Sequence, residues 1–198
     1  MLRLTSIPNR WLRQTLPIAC LAVGLAAAAA SGASGAAGRA AGLIATKQAC
    51  PAGYRRDAPL AVQVRAMACL VAFARARAGV QPLRPSAKLA RVAALKIDAD
   101  LLCGDFSHTP CGSDFMTWFV AVGYERGSSR YAVGENLAWG RGKDASPQQI
   151  MRMWLASPEH RRNLLSPSWR QFGLAVRLQT EFLGDPGVAL WANEFGSR

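Results

Sequence analysis

Apolar positions recur at helical spacing through the middle of the chain and alternate near its end. Over residues 59–78 (PLAVQVRAMACLVAFARARA), Val62, Met67, Leu70, Val71 and Ala74 can share one face. That spacing predicts a helix with Pro59 in its first turn and Gly79 as its stop. Residues 80–85 (VQPLRP) hold two prolines and predict a tight extended link. Ser86 suits an N-cap, and Leu89, Val92, Ala93, Ile97 and Leu101 carry a second helix to about Leu102. Residues 103–113 (CGDFSHTPCGS) have the chemistry of a loop. A short third helix is expected over residues 114–122, with Phe115, Trp118 and Phe119 as its apolar face. Residues 123–133 are polar and glycine rich, and the glycine-bounded unit 134–140 (GENLAWG) reads as strand or turn.

Two helix starts follow in series. Ser146, Pro147 and Gln149 form the first, with Ile150, Met153 and Trp154 at helical spacing behind them. Ser157, Pro158 and Glu159 repeat the signal and lead His160 to Leu165 into a further helical segment. Residues 172–178 (FGLAVRL) and 187–195 (GVALWANEF) are strand-like, and the loop 179–186 makes them a hairpin. Helices first and a small antiparallel sheet late is an α+β layout. There is no internal repeat.

The N-terminus has a different pattern. Residues 1–13 carry Arg3, Arg10 and Arg13 without an acid, and residues 15–30 are apolar and end in five alanines. Ser31 to Gly35 are small. This order is that of a secretory signal peptide, expected over residues 1–33. A membrane span needs roughly 20 apolar residues, and this run is shorter and alanine rich. Cys20 is a poor lipid-attachment site, since the apolar run continues past it. Residues 34–49 are rich in Gly, Ala and Ser and read as a flexible leader, leaving residues 50–198 as one folded domain.

Cys50, Cys69, Cys103 and Cys111 follow the signal. An even set in an exported chain predicts two disulfides, for which three connectivities exist. Cys50–Cys69 with Cys103–Cys111 closes the shortest loops and is the expected pairing. The spacing contains no Cys-x-x-Cys zinc unit. The net charge is +12. A basic surface outside a cell meets acidic envelope polymers, lipid headgroups or shed nucleic acid, although a solvated arginine-rich face is the blander explanation. No nucleic-acid motif is present, and no specific nucleic-acid partner is expected.

The chain has two histidines, His108 and His160. Each stands beside turn residues, off the apolar faces. Histidine is the commonest metal ligand and the usual general base near neutral pH, yet a lone histidine is more often structural. Glu135 lies between Gly134 and Asn136, which suits either a carboxylate aimed at a cleft or a simple turn cap. The histidines are too far apart in sequence for a short-range metal motif, so any metal site must be assembled by the fold. Ser107 lacks the Gly-x-Ser-x-Gly elbow of an activated serine. Most of the tryptophans are expected in the core.

Phe106-Ser107-His108, Gly134-Glu135-Asn136-Leu137-Ala138 and Trp154-Leu155-x-Ser157-Pro158-x-His160-Arg161-x-Asn163-Leu164-Leu165 occur in that order. Arg75-Ala76-Arg77-Ala78-Gly79-Val80-x-Pro82-Leu83 precedes them, and Phe172 to Val176 and Leu190 to Gly196 follow. This succession resembles the signatures of the CAP superfamily, the cysteine-rich secretory, antigen-five and pathogenesis-related-one proteins, in its bacterial form. The resemblance covers roughly residues 60–198. It implies an α–β–α sandwich with a small antiparallel sheet between helical layers, and a cleft lined by two histidines and two acids. His108, Glu135 and His160 match three of those positions. The fourth, a glutamate in animal and plant members, falls at Ser157, with Glu159 nearby.

The expected function is therefore a secreted binding module for a lipid, glycan or peptide. A divalent cation, zinc first, is its candidate cofactor on His108 and His160, with Glu135 as a further ligand. No organic cofactor is expected, nor a transmembrane anchor after signal cleavage. The alternative is a metal-assisted hydrolase of peptide, ester or cell-wall substrates, with His108, Glu135 and His160 as catalytic candidates. A third reading makes these residues purely structural.

Overall fold

The computed structural model describes residues 42–198. The expected signal peptide, and the first half of the expected leader, lie outside the described residues. Among the described residues, no helix is long and apolar enough to cross a membrane.

The first helix, α1, spans Leu60–Arg77 and buries Ala66, Met67, Leu70, Val71 and Ala74. Pro59 is its N-cap, and Gln63 fixes its entry by donating to the carbonyls of Arg56 and Ala58. A two-residue strand, β1 (Arg84–Pro85), interrupts the extended link. Helix α2 spans Ala87–Cys103, with the Ser86 hydroxyl accepting from the Leu89 amide. Helix α3 is confined to Thr117–Ala121, shorter than the expected 114–122. Asp114 accepts from the Met116 amide at 2.7 Å, and that local turn displaces helix from the preceding residues. The unit around GENLAWG is a strand, β2 (Ala132–Arg141).

Helices α4 (Pro147–Ala156) and α5 (Pro158–Leu165) begin where the two serine-proline signals place them. Ser146 accepts from the Gln149 amide, and Ser157 from the His160 amide. Ser157 also ends α4, so one residue closes one helix and opens the next.

Strands β3 (Gln171–Phe182) and β4 (Asp185–Ser197) are longer than expected. Their connection is only Leu183-Gly184, both at positive φ (51° and 81°), in place of the loop 179–186. Phe182 is responsible in part: it is buried in edge contact with Phe106 and Trp139, which draws the polar segment around it into the sheet.

The sheet order is β1-β3-β4-β2, with β1 parallel to β3 and the other pairs antiparallel. Side chains alternate across it. Leu174, Val176, Trp191 and Phe195 pack with α1, α4 and α5 on one face. Leu137, Ala175, Leu190 and Ala192 pack with Ala93 and Ile97 of α2 on the other, and α3 packs on α2 through Phe119. The fold is thus an α–β–α sandwich of the α+β class. Fully buried side chains such as Leu70 and Ile150 each contribute about 1.5–3 kcal/mol through removal from water.

Both expected disulfides are present, Cys50–Cys69 and Cys103–Cys111, with Cα separations of 6.0 and 5.5 Å. The packed region begins earlier than Cys50, where the leader was expected to end. Ala45 is buried in the main core, and Leu43 and Ile44 pack against it. Tyr54 donates its hydroxyl proton to the Ala45 carbonyl, so a short apolar segment inside a small-residue run is held down at two points.

Strand β2 forms one edge of the sheet and is hemmed closely at two glycines. A Cβ at Gly134 would come within 2.8 Å of the Trp169 ring. One at Gly140 would come within 2.2 Å of the Asp144 carbonyl oxygen.

Candidate functional site

Glu135 lies on β2 and shares its face with Leu137, toward α2. His108 is in the loop that follows α2, between Cys103 and Cys111 of the second disulfide. The loop brings His108 Nδ1 to 2.5 Å from Glu135 Oε1, where the ring N–H donates to the carboxylate. The His108 side chain is 55% exposed and that of Glu135 only 3%. The hydrogen bond to Glu135 is the main reason that the His108 pKa is raised, and burial opposes it.

Behind this pair lies a buried ionic cluster that the sequence reading did not single out. Lys96 on α2 has its Nζ 3.8 Å from Glu135 Oε1 and 3.9 Å from Asp100 Oδ1. The same ammonium donates to the Ser107 carbonyl, while the Ser107 amide donates to Asp100 Oδ1 at 3.5 Å. Lys96 and Asp100 thereby hold both backbone groups of the residue before His108. Glu194 on β4 stands opposite Glu135 in the strand register. Neither of its carboxylate oxygens has a donor among the described residues. Burial, then the neighbouring Glu135, push its pKa well up. Burial likewise raises Asp100, to about 7. Burial therefore favours the protonated form of Glu194, which could donate to Glu135.

The available signal was the spacing of Lys96 and Asp100 in α2. They are one helical turn apart, and Ile97 beside them lies in the core. Glu194 was signalled by its place in an otherwise buried strand.

His160 reaches the same strand from the other helical layer. Its amide donates to Ser157 Oγ at 3.5 Å, and its carbonyl accepts from Asn136 Nδ2 at 2.9 Å. Asn163 Nδ2 bonds Asn136 Oδ1 and the Glu135 carbonyl, both at 3.0 Å. These bonds staple α5 to β2 at Glu135 and Asn136. Burial, followed by the charge of His108, lowers the His160 pKa. His108 is therefore biased toward the cation and His160 toward the neutral imidazole, a divergence typical of a functional pair. The fold brings His108 and Glu135 into direct contact. It places His160 close enough to feel the charge of His108, with no imidazole hydrogen bond among the described residues.

The other candidates have local roles. The Ser107 hydroxyl donates to Asp105 and accepts from the Thr109 amide. Ser157 is a cap, and the exposed Glu159 forms no ion pair among the described residues.

The donor set fits part of a metal site. Glu135 holds the Nδ1 side of His108, as carboxylates do behind metal-bound histidines, and leaves Nε2 for a ligand. His160, biased neutral, has an imidazole lone pair for a cation. Among the described residues no group of three or more His, Cys, Asp or Glu forms a cage. A cation here would take two protein nitrogens and complete its shell from water or a ligand.

The model of the cysteine-rich secretory protein family, CAP, matches residues 68–183, more than half of the chain. Solved structures share the fold. One is an extracellular protein containing an SCP domain from Bacillus anthracis, at TM-score 0.55 and 19% identity, over 70% of this chain and 41% of that one. An outer surface protein from Borrelia burgdorferi is similar at TM-score 0.53 and 18% identity, over 69% of this chain and 92% of that one. A cysteine-rich secretory protein from Staphylococcus aureus is similar at TM-score 0.50 and 12% identity, over 72% and 41%. The chain thus spans about two fifths of the length of the Bacillus and Staphylococcus proteins. No curated protein matches. With the family match and the sandwich in agreement, this chain belongs to the cysteine-rich secretory protein (CAP) family.

Proposed function

We propose that the chain is an exported ligand-binding domain whose site, at the β2 edge, takes a divalent cation on His108 and His160. The observation that carries this reading is the 2.5 Å bond from His108 Nδ1 to Glu135, which orients the ring and leaves Nε2 open. When bound, the cation, zinc first, supplies a Lewis-acidic point for an oxygen of a lipid, glycan or peptide. Lys96 and Asp100 keep the His108 loop in place, and Ser157, Asn136 and Asn163 keep His160 in place. Export is supported by the arginine-led apolar start, by two disulfides in a small domain, and by the extracellular description of the Bacillus relative.

Zinc titration by calorimetry tests the reading. Wild type should bind, and the His108→Ala, His160→Ala double variant should not, with both still folded by circular dichroism. Equal zinc uptake by the two proteins removes the metal site. A purely structural role for the histidines predicts instead a lowered melting temperature in the double variant and no zinc binding by wild type.

The hydrolytic alternative has less support. Glu135 is almost fully buried, accepts from His108 and lies beside Lys96, so it is poorly placed to take a proton from water. Turnover that disappears in Glu135→Gln would restore that alternative.

A further inference from the structure

A concavity of about 620 Å³ opens where β1 meets the start of β3 and the end of β4. Its walls include Gln81, Leu83, Arg84, Arg170, Gln171 and Arg198. It is separate from the histidine site. Glu135 is on β2, two strands away from β3 in the sheet order, and β1 is one strand further. Neighbouring strands lie roughly 4.8 Å apart, and Arg198 lies four residues beyond Glu194, the β4 partner of Glu135, so about 10 Å or more separates the two.

Three guanidinium groups line this pocket, and among the described residues none is ion-paired with a carboxylate side chain. All twelve acidic residues of the chain fall between Asp57 and Glu194, within the described residues. The cations they pair with are Arg55, Lys96, His108, Arg126, Arg141 and Arg177. A fourth guanidinium adjoins the pocket. Arg75 is 1% exposed, its Nε donates to the Gln81 carbonyl, and its Nη1 donates to the carbonyls of Leu164 and Ser166. Its Nη2 is buried without a partner among the described residues. Burial, and then the charge of Arg170, lower its pKa, so the two cations repel.

The pocket is also pre-organised. Arg170 Nη1 donates to the carbonyls of Pro167 and Trp169. Arg198 lies over the Tyr124 ring, 5.2 Å from its centroid, and donates to the carbonyls of Tyr124 and Arg126. Gln171 Oε1 accepts from the Tyr124 hydroxyl at 2.8 Å, so its amide hydrogens are what it has left to offer. A basic chain scatters arginines over its surface, but scatter does not explain a concave set, a buried guanidinium beside it and the absence of any paired carboxylate side chain among the described residues.

We propose that this pocket is an oxyanion site that takes a phosphate group through Arg84, Arg170 and Arg198. Phosphate suits the pocket better than a single carboxylate. It spreads its charge over several oxygens, and forked guanidinium donors match them two at a time. The same group occurs in a soluble phosphate ester and in a phospholipid headgroup, and the test separates these sources.

Wild-type protein is titrated with glycerol 3-phosphate, followed by amide NMR shifts, and with phosphatidylglycerol vesicles in a sedimentation assay. Phosphatidylcholine vesicles are the blank. Saturable binding of glycerol 3-phosphate is expected for a soluble ester, and binding of phosphatidylglycerol vesicles alone for a headgroup. In either arm Arg84→Gln, Arg170→Gln should weaken binding by about tenfold or more, the effect of losing charge-assisted hydrogen bonds. Arg65→Gln, Arg152→Gln removes the same charge from exposed positions elsewhere and should leave binding unchanged. Arg84→Glu, at an exposed strand position, guards against a folding defect in the first variant. Binding in neither arm, or equal weakening by the two double variants, overturns the proposal.

Discussion

Glu135 and Glu194 stand directly opposite each other in the antiparallel register of β2 and β4, and both are buried. Two carboxylates in that relation cannot both be charged cheaply. Lys96 Nζ lies 3.8 Å from Glu135 Oε1, and burial pushes the Glu194 pKa well up. The acid that orients His108 is thus the member of the pair that one buried ammonium contacts.

Removing that ammonium should be costly. Lys96→Met leaves Glu135 buried without its cation and frees the Ser107 carbonyl. A loss of about 3–5 kcal/mol is expected from urea unfolding, as for other broken buried ion pairs. Adding Glu135→Gln should recover part of it, since the uncompensated charge is then gone. No recovery would mean that Lys96 acts mainly through the Ser107 loop.

Stability should fall as pH rises from about 4 toward 8. Asp100 has its pKa raised from 3.8 to about 7, and Glu194 is raised well above 4.5. Each therefore holds more proton in the native state than in the unfolded chain, so raising the pH through these windows favours unfolding. His108, also raised, has the same sign: its contribution is complete below 6.5 and is lost as pH passes its native value. Asp100 alone contributes on the order of a few kcal/mol to this slope. Thermal melts at pH 5 and pH 8 check the direction, and Asp100→Asn should flatten the slope between them.

Opening the second disulfide should release the histidine before it unfolds the domain. Cys103→Ser, Cys111→Ser frees a short loop, with an expected stability cost of about 2–3 kcal/mol. The bond from His108 to Glu135 should loosen, and the His108 pKa, followed by NMR, should return toward 6.5. An unchanged value would show that Lys96 and Asp100 hold the loop without help.

Ser157→Ala should lose about 1 kcal/mol, the usual worth of an N-cap. It should also weaken any zinc binding more than that loss alone suggests, since the His160 amide is the group capped. A distant cap variant, Ser146→Ala, controls for general loosening.

Much of this architecture was legible because its signals are local. Ser86, Ser146 and Ser157 mark helix starts by hydrogen bonds to residues three positions on. The order of short motifs marked His108, Glu135 and His160. Lys96 and Glu194 were harder to read, because a buried charge is recognised only by partners that the fold brings from elsewhere. Leu43 to Ala45 were hidden for a similar reason: three apolar residues in a Gly/Ala-rich stretch have no period, and a disulfide nearby fixes them. The extended hairpin depends on Phe182, whose aromatic partners come from other elements.

Gly134 and Gly140 have a bearing on the acid between them. Each sits where a neighbour comes closer than any Cβ would allow. Sliding β2 along β4 by one or two residues, in either direction, would bring Ala132, Val133, Glu135 or Asn136 against the Trp169 ring. A one-residue slip would also turn the Glu135 carboxylate to the opposite side of the sheet. The pair acts as a steric ruler, and the address of the carboxylate is written in two missing side chains.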